Sequence, residues 1–255
     1  MILIKKIINN LFNKLGYEIK KINKDFQNPP LDDLLKQKIS KNPIVIDVGG
    51  NKGQSVTKFK KIFDKPIIHT FEPIKSEFEI MSKKFENDKN VYLNNIALGE
   101  KETEKNINIS GQTGASSFYK INKNSNWIKV RSKEYNTSIE QFVSINKVKI
   151  STLDNYCLKN NVDQIDLLKI DTQGYEDKVL QGSLNILKNN KVKAIVTELM
   201  FDNVYEKYFS FSDIEKFLLP NNFRMVGIYL YSNSLFGNLT FFADIFYLNK
   251  NYYEL

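Results

Sequence analysis

Three carboxylates in this chain follow apolar runs: Asp47 after Ile44-Val45-Ile46, Glu72 after residues 66–71, and Asp171 after residues 165–170. Continuous apolar runs of this length suit strands buried on both faces of a parallel sheet, whose carboxyl ends open onto a ligand crevice. An acid placed there can accept hydrogen bonds from a ligand or take a proton from it. Asp47 leads into Val48-Gly49-Gly50-Asn51-Lys52-Gly53. Gly49 and Gly50 permit positive φ and close backbone approach, and Gly53 lets the next helix begin tightly against whatever the loop holds. That helix is expected over residues 54–63, with Val56, Phe59, Lys60 and Phe63 at helical spacing.

The spacing selects among nucleotide ligands. Asp47, Gly49 and Gly53 form D-x-G-x-x-x-G, not the G-x-G-x-x-G of a dinucleotide site, so no pyrophosphate cradle is expected. Glu72, followed by Pro73, can accept hydrogen bonds from both hydroxyls of a ribose. With Asp47 toward an amino-acid end and Glu72 toward the sugar, S-adenosylmethionine suits the pair better than NAD.

Further motifs extend the pattern: Asn95-Ile96-Ala97-Leu98-Gly99, then Leu168-Lys169-Ile170-Asp171-Thr172-Gln173-Gly174-Tyr175-Glu176. Together with Asp47 to Gly53 and Phe71-Glu72-Pro73, their order and spacing resemble the FkbM-type S-adenosylmethionine-dependent methyltransferases, over roughly residues 43–249. The first two motifs are shared by many class I methyltransferases, and the segment from Lys169 to Glu176 narrows the resemblance. Gly50 departs from it, because family members usually carry alanine there; the position stays small.

The resemblance implies an α/β, doubly wound, seven-stranded Rossmann-like methyltransferase sheet with its last strand antiparallel. It implies S-adenosyl-L-methionine as cofactor, held by Asp47, Gly49, Gly50, Asn51, Gly53, Glu72, Asn95, Ile96, Ala97 and Asp171. Asn95, Ile96 and Ala97 would face adenine, and Asp171 would lie beside the sulfonium. Methyl transfer is an in-line displacement, governed by positioning, and an alcohol acceptor must also lose its proton. Asp171 is the first candidate base and Glu176 the second; Glu176 would equally serve as a first-turn acid complementing the dipole of a helix over residues 176–187. Glu198, after a strand at 194–197, is expected to line the acceptor pocket. Lys169 alternates with Asp171 on one strand and is expected to pair with a carboxylate. Asp171, Glu176 and Glu198 could gather a magnesium-type ion, yet they lack diagnostic spacing and no histidine or cysteine cluster accompanies them, so no metal is expected.

Other motifs are assigned no chemistry. His69 lies within the second strand and is expected in the core. Tyr119 and Lys123 form the Tyr-x-x-x-Lys pair of short-chain dehydrogenases, but so do Tyr17 and Lys21, upstream of the glycine loop, and such pairs arise easily in a Tyr- and Lys-rich chain. Asn28-Pro29-Pro30-Leu31 is expected to be a turn, because the nitrogen-positioning motif it resembles follows the fourth strand in other methyltransferases and carries an aromatic residue where Leu31 stands.

The 255 residues, 42% hydrophobic and 26% charged, suit one globular domain. Residues 1–42 are expected to form an amphipathic helix and linker, with a short helix at 31–39, and residues 43–255 the methyltransferase domain. Helices are further expected at 76–87 and 153–158, strands at 91–98, 148–152, 223–230 and 243–249, and a helix capped by Ser212 or Asp213. Residues 101–149 interrupt the alternation with a polar stretch carrying Ser116, Ser117, Phe118, Tyr119 and Trp127. Insertions in doubly wound folds lie over the ligand edge, so this one is the candidate acceptor-binding lid; a solvated hairpin fits it equally. Tyr229, Tyr231, Phe236 and Phe241 belong either to the acceptor side or to the core.

The expected acceptor is a sugar hydroxyl in a glycan, glycolipid or related secondary product. The rival readings are an NAD-dependent nucleotide-sugar dehydrogenase or epimerase, and a non-catalytic binding protein on a cofactor fold. No nucleic-acid partner is expected; the net charge of +8 comes from scattered lysines. Residues 1–24 combine an apolar stripe with five flanking lysines. They suit a helix packed on the domain or a partner, or peripheral attachment to the inner face of a membrane, and they lack the form of a signal peptide or a span. The single Cys157 favours a reducing compartment, hence the cytoplasm.

Overall fold

A computed structural model describes residues 29–110, 113–135, 144–207, 209–230 and 240–253. The expected amino-terminal helix, the Tyr17–Lys21 pair, Tyr231 and Phe236 lie outside these residues.

Among the described residues the chain runs α1 (Leu31–Lys38), β1 (Ile44–Val48), α2 (Gln54–Ile62), β2 (Ile67–Phe71), α3 (Lys75–Phe85), β3 (Val91–Asn94), β4 (Ala97–Leu98) and β5 (Thr103–Ile109). It continues α4 (Asn126–Tyr135), β6 (Ser144–Ser151), α5 (Leu153–Lys159), β7 (Leu167–Ile170), α6 (Glu176–Gln181), α7 (Leu184–Lys188), β8 (Ala194–Met200), α8 (Phe211–Leu218), β9 (Phe223–Leu230) and β10 (Phe242–Asn249). Seven strands make one sheet in the order β3-β2-β1-β7-β8-β10-β9. The pairings from β3 to β8 are parallel, and β10 runs antiparallel to both β8 and β9. This is the doubly wound sheet with an antiparallel last strand that the sequence led us to expect.

The physical basis is visible in burial. Every residue of β8 is buried, and β1 is buried from Val45 to Val48, because helices cover both faces. On one face Leu153, Leu180, Leu187 and Ile214 pack against Ile46, Leu168 and Ile170; on the other Leu35, Val56, Phe59 and Met81 pack against Val45, Ile68 and Leu167. The strand order reverses between β1 and β7, and at this switch point Asp47, Gly49 and Asp171 come together.

Three expectations are corrected. The strand expected at 91–98 is two: β3 stays in the main sheet, whereas β4 pairs with β6 in a second, three-stranded sheet of order β4-β6-β5. Asn94 marks the break, its side-chain amide donating to the carbonyls of Thr70 and Tyr92. The single helix expected at 176–187 is interrupted at Gly182 and Ser183, where the backbone passes so near the Gly99 carbonyl that a Cβ on Gly182 would lie 1.9 Å from its oxygen. The cap expected at Ser212 or Asp213 falls on Ser210, with Asp213 returning the capping-box bond to the Ser210 amide.

The stretch around residues 101–149 forms the hairpin arms β5 and β6, in register from Thr103 opposite Ile150 to Ile109 opposite Ser144, with α4 between them. It is fastened by its own small core, in which Trp127, Ile128 and Ala115 pack with Met200, Val204, Tyr205 and Phe241.

Candidate active site

The glycine loop is squeezed between its neighbours. The amides of Gly49 and Gly50 both donate to the carbonyl of Phe71, at 3.0 and 2.9 Å. Gly49 has φ of 90°, and a Cβ there would stand 1.9 Å from the carbonyl oxygen of Asp171. At Gly50 a Cβ would meet the Thr70 hydroxyl at 2.2 Å. The departure from the usual alanine has a local reason: here Thr70 fills the space of the alanine methyl and donates to Asp47 Oδ2 at 2.9 Å. Gly53 starts α2 at φ of 79°, with Phe85 2.5 Å from where a Cβ would be.

Asp47 does not reach the lumen. It is fully buried, and its Oδ2 accepts from Ser55 Oγ at 2.5 Å as well as from Thr70. Its Oδ1, without a hydrogen bond, faces the Lys169 ammonium at 3.6 Å. Where the sequence pointed to a direct cofactor contact, the structure makes Asp47 a brace for the first turn of α2 and for Lys169. Lys169 also reaches Asp171 Oδ2 at 3.1 Å, the carboxylate pairing expected of it. Burial lowers the lysine pKa, but Asp171 and Asp47 outweigh it, and the net shift is upward, so this lysine stays charged.

Glu72 sits at the end of β2 with Oε2 accepting from the Asn51 amide and Oε1 from the Ile74 amide, each at 2.8 Å. These bonds leave further lone pairs for a ligand. Burial raises its pKa from 4.5 to about 7, against the pull of the two amides. Asn95 donates its side-chain amide to the carbonyls of Glu72 and Pro73, and Ile96 packs on the core. The structure thus places Asn95 and Ile96 behind the Glu72 loop, and only Ala97 of the expected adenine trio lines the cavity.

At the carboxyl end of β7 the loop from Asp171 to Gly174 is gathered by Glu176. Its carboxylate accepts from the Thr172 amide at 2.7 Å and the Gly174 amide at 3.0 Å. Buried and so occupied, with burial raising its pKa to about 7, Glu176 holds the loop rather than facing the lumen. Of the two places the sequence left open for it, second candidate base or first-turn acid, Glu176 stands in the first turn of α6. Glu198, by contrast, lines the cavity from within β8, which extends past the expected end at Thr197. Burial first, then the charges of Asp171, Glu176 and Asp244, push its pKa well up. Between Asp171 and Glu198 stands Gln173, to which the sequence assigned nothing. Its Nε2 donates to Asp171 Oδ1 at 2.9 Å and to Glu198 Oε2 at 2.6 Å. The signal was present: a polar residue beside Gly174, in a turn where both take positive φ.

Two cavities meet here. The first runs from Gly49 and Glu72 past Phe71 and Ala97 to Phe118 of the inserted segment. The second, wider, is bounded by Ser55 and Lys52 and by Trp127, Met200, Val204 and Phe242. Gly49, Asn51, Gly114, Asp171 and Gln173 border both. The first has the shape and polarity for a nucleoside: apolar walls with one carboxylate oriented by two amides.

The remaining motifs take structural places. His69 is buried, its Nδ1 2.8 Å from the Tyr156 hydroxyl, and burial lowers its pKa to about 4. Tyr119 and Lys123 lie outside any helix; Tyr119 packs near Tyr175 and Lys123 is exposed. Pro30 precedes α1 as its N-cap. Among the described residues no group of three or more His, Cys, Asp or Glu is arranged to hold a metal ion, and no helix is long and apolar enough to cross a membrane.

Comparison with known proteins supplies the family. Residues 47–225 match the model of the methyltransferase FkbM domain. A 2-O-methyltransferase, NoeI, of Sinorhizobium fredii is 23% identical over 168 residues, which cover 65% of this chain and 66% of that protein. Among solved structures, Aeropyrum pernix fibrillarin with bound S-adenosyl-L-methionine matches at a TM-score of 0.46 and 10% identity, over 85% of this chain and 73% of that one. Magnesium protoporphyrin IX methyltransferase of Synechocystis PCC 6803 matches at 0.44 and 11%, over 96% of both. These structural likenesses are too distant to bear on the assignment, which rests on the match across 47–225. The chain belongs to the FkbM family of S-adenosylmethionine-dependent methyltransferases.

Proposed function

We propose that this chain methylates a hydroxyl of a sugar, in a glycan, glycolipid or related secondary product. The observation that carries this reading is the meeting of the two cavities at Asp171. In the narrower one, Glu72 would receive the ribose hydroxyls and Ala97 and Phe118 would flank the base. Gly49, Gly50 and the first turn of α2 would receive the amino-acid end, with Asp47 and Asn95 bracing from behind. When bound, S-adenosylmethionine supplies a sulfonium methyl group to the acceptor oxygen and leaves as S-adenosylhomocysteine. Asp171 faces both cavities and takes the acceptor's proton. Lys169 keeps its charge, pairs with Asp171 and holds that carboxylate at the junction. Glu198 lines the acceptor side.

The wider cavity has an apolar wall with an indole and a polar wall with Ser55, Gln54 and Lys52, a combination suited to a sugar ring and its hydroxyls. Residues 101–149 contribute that indole, which supports their role as acceptor-binding insertion. The curated relative's description as a 2-O-methyltransferase favours oxygen over nitrogen as the acceptor. We place the reaction in the cytoplasm, with residues 1–24 contacting the inner face of the membrane; the basic amphipathic sequence and the lone cysteine support this.

The test begins with calorimetric titration of S-adenosylhomocysteine and of NAD. Micromolar binding of the first alone is expected, and the reverse would overturn the cofactor site. Incubation with methyl-labelled S-adenosylmethionine and glycan extracts should then label sugar hydroxyls as methyl ethers. Labelling of RNA or protein instead would overturn the sugar acceptor, and cofactor binding without any transfer would favour the binding-protein alternative.

A further inference from the structure

The contacts of Gln173 go beyond what holding a loop requires. Its φ of 56° puts a residue with a Cβ in the left-handed region, which costs energy unless surroundings fix it. Four such contacts exist. Ser117 Oγ, in the inserted segment, donates to the Gln173 carbonyl at 2.6 Å. The buried Tyr205 hydroxyl lies 3.1 Å from Gln173 Oε1 and 3.0 Å from the carbonyl of Ala115. The amide nitrogen spends its two hydrogens on two different carboxylates, those of Asp171 and Glu198. The two carboxylates fix the orientation of the amide as well, since the flipped form would aim an oxygen at both of them.

We infer that Gln173 is a positioning residue for methyl transfer: it separates the Asp171 and Glu198 carboxylates, aims Asp171 at the junction of the two cavities, and makes that aim depend on the inserted segment through Ser117, Tyr205 and Ala115. The inference rests on the reading of Asp171 as the base. The charged groups around the pair come from every neighbouring element. Lys169 and Asp47 stand on β7 and β1, Glu176 on α6 and Asp244 on β10, with Tyr205 in the segment after β8. Of these, only Lys169 is a cation, and it is bonded to Asp171; Gln173 is the side-chain donor bonded to both acids.

Gln173→Leu keeps the size of the side chain and removes both donors. The expected result is a kcat about ten- to hundredfold lower, as for loss of hydrogen bonds to charged groups. Acceptor KM should change less than kcat, and S-adenosylhomocysteine affinity by less than threefold in calorimetry. A second readout needs no acceptor: ¹³C NMR of glutamate-labelled protein, with the Glu198 carboxyl assigned by Glu198→Gln, should show its titration moved to higher pH in Gln173→Leu, because burial persists while a donor is lost. Ser117→Ala leaves the side chain of Gln173 intact and frees its carbonyl together with the Tyr119 amide; a smaller fall in kcat, about three- to tenfold, is expected, and this variant stands in if Gln173→Leu does not fold. Wild-type kcat in the variants, or an unmoved Glu198 titration in Gln173→Leu, would overturn the proposal. Absence of sugar methylation by the wild type would count against the sugar reading alone, since the Glu198 titration still decides the role of Gln173.

Discussion

Glu72 offers a test in which stability and binding move in opposite directions. The residue is 4% exposed and its pKa is raised from 4.5 to about 7, with burial the main cause. Between these values the unfolded chain has released the proton and the folded protein has kept it, so stability is fully present below about 4.5 and is lost as pH rises through about 7. The shift is equivalent to about 3 kcal/mol, the cost of burying the charge at pH 8. Glu72→Gln removes that cost but leaves one of the amides of Asn51 and Ile74 facing an NH₂ group, at about 1–2 kcal/mol. The variant should therefore be less stable than wild type at about pH 5 and more stable by about 1–2 kcal/mol at pH 8, the two curves crossing in between. Urea denaturation of both proteins across this range measures the difference, and taking the difference cancels Glu176 and Glu198, which are shifted the same way, and His69, which is shifted oppositely. Calorimetry at pH 8 should show S-adenosylhomocysteine binding weakened at least tenfold in the more stable protein. Parallel curves with no crossing would refute the burial cost assigned to Glu72, and unchanged affinity would remove it from the ribose site.

Other substitutions probe the remaining contacts. Asp171→Asn should bind S-adenosylhomocysteine within threefold of wild type while kcat falls at least a hundredfold; single-turnover rates near wild type would exclude Asp171 as base. Gly49→Ala meets a backbone carbonyl at 1.9 Å and an unfavourable φ together, so thermal denaturation should show a loss above about 3 kcal/mol, and a loss under 1 kcal/mol would contradict the tight passage between β1 and β7. Glu176→Gln should cost about 1–2 kcal/mol and speed hydrogen exchange at the Gly174 amide, as expected of a loop-holding carboxylate; unchanged exchange would be inconsistent with that role.

The parallel core was legible because continuous apolar runs at 44–46, 66–71 and 165–170 have few alternatives to buried strands, and each ends in a residue whose chemistry needs an edge. Which face of the loop each acid takes was not legible. Asp47 and Glu176 look like site residues from their positions, yet both turn inward to satisfy neighbouring donors, a choice made by contacts with Ser55, Thr70, Thr172 and Gly174. Asn95 is similar, its amide consumed by two carbonyls 22 and 23 residues away in sequence. Gln173 escaped notice because three of its four partners, Ser117, Glu198 and Tyr205, come from distant segments, and pairwise spacing carries no trace of them. The break after Asn94 was hidden because a strand that changes sheets keeps its apolar character on both sides of the bend.

The excursion between Thr103 and Ile150 leaves and re-enters the fold at directly opposed positions. A segment with its two ends side by side behaves as a cassette: its contents can lengthen, shorten or be exchanged while the parallel sheet beneath keeps the same two attachment points. Transplanting residues 103–150 between relatives would then exchange Trp127 of the wider cavity and Phe118 of the narrower one in a single step, while Glu72 and Asp171 keep their places at the strand ends.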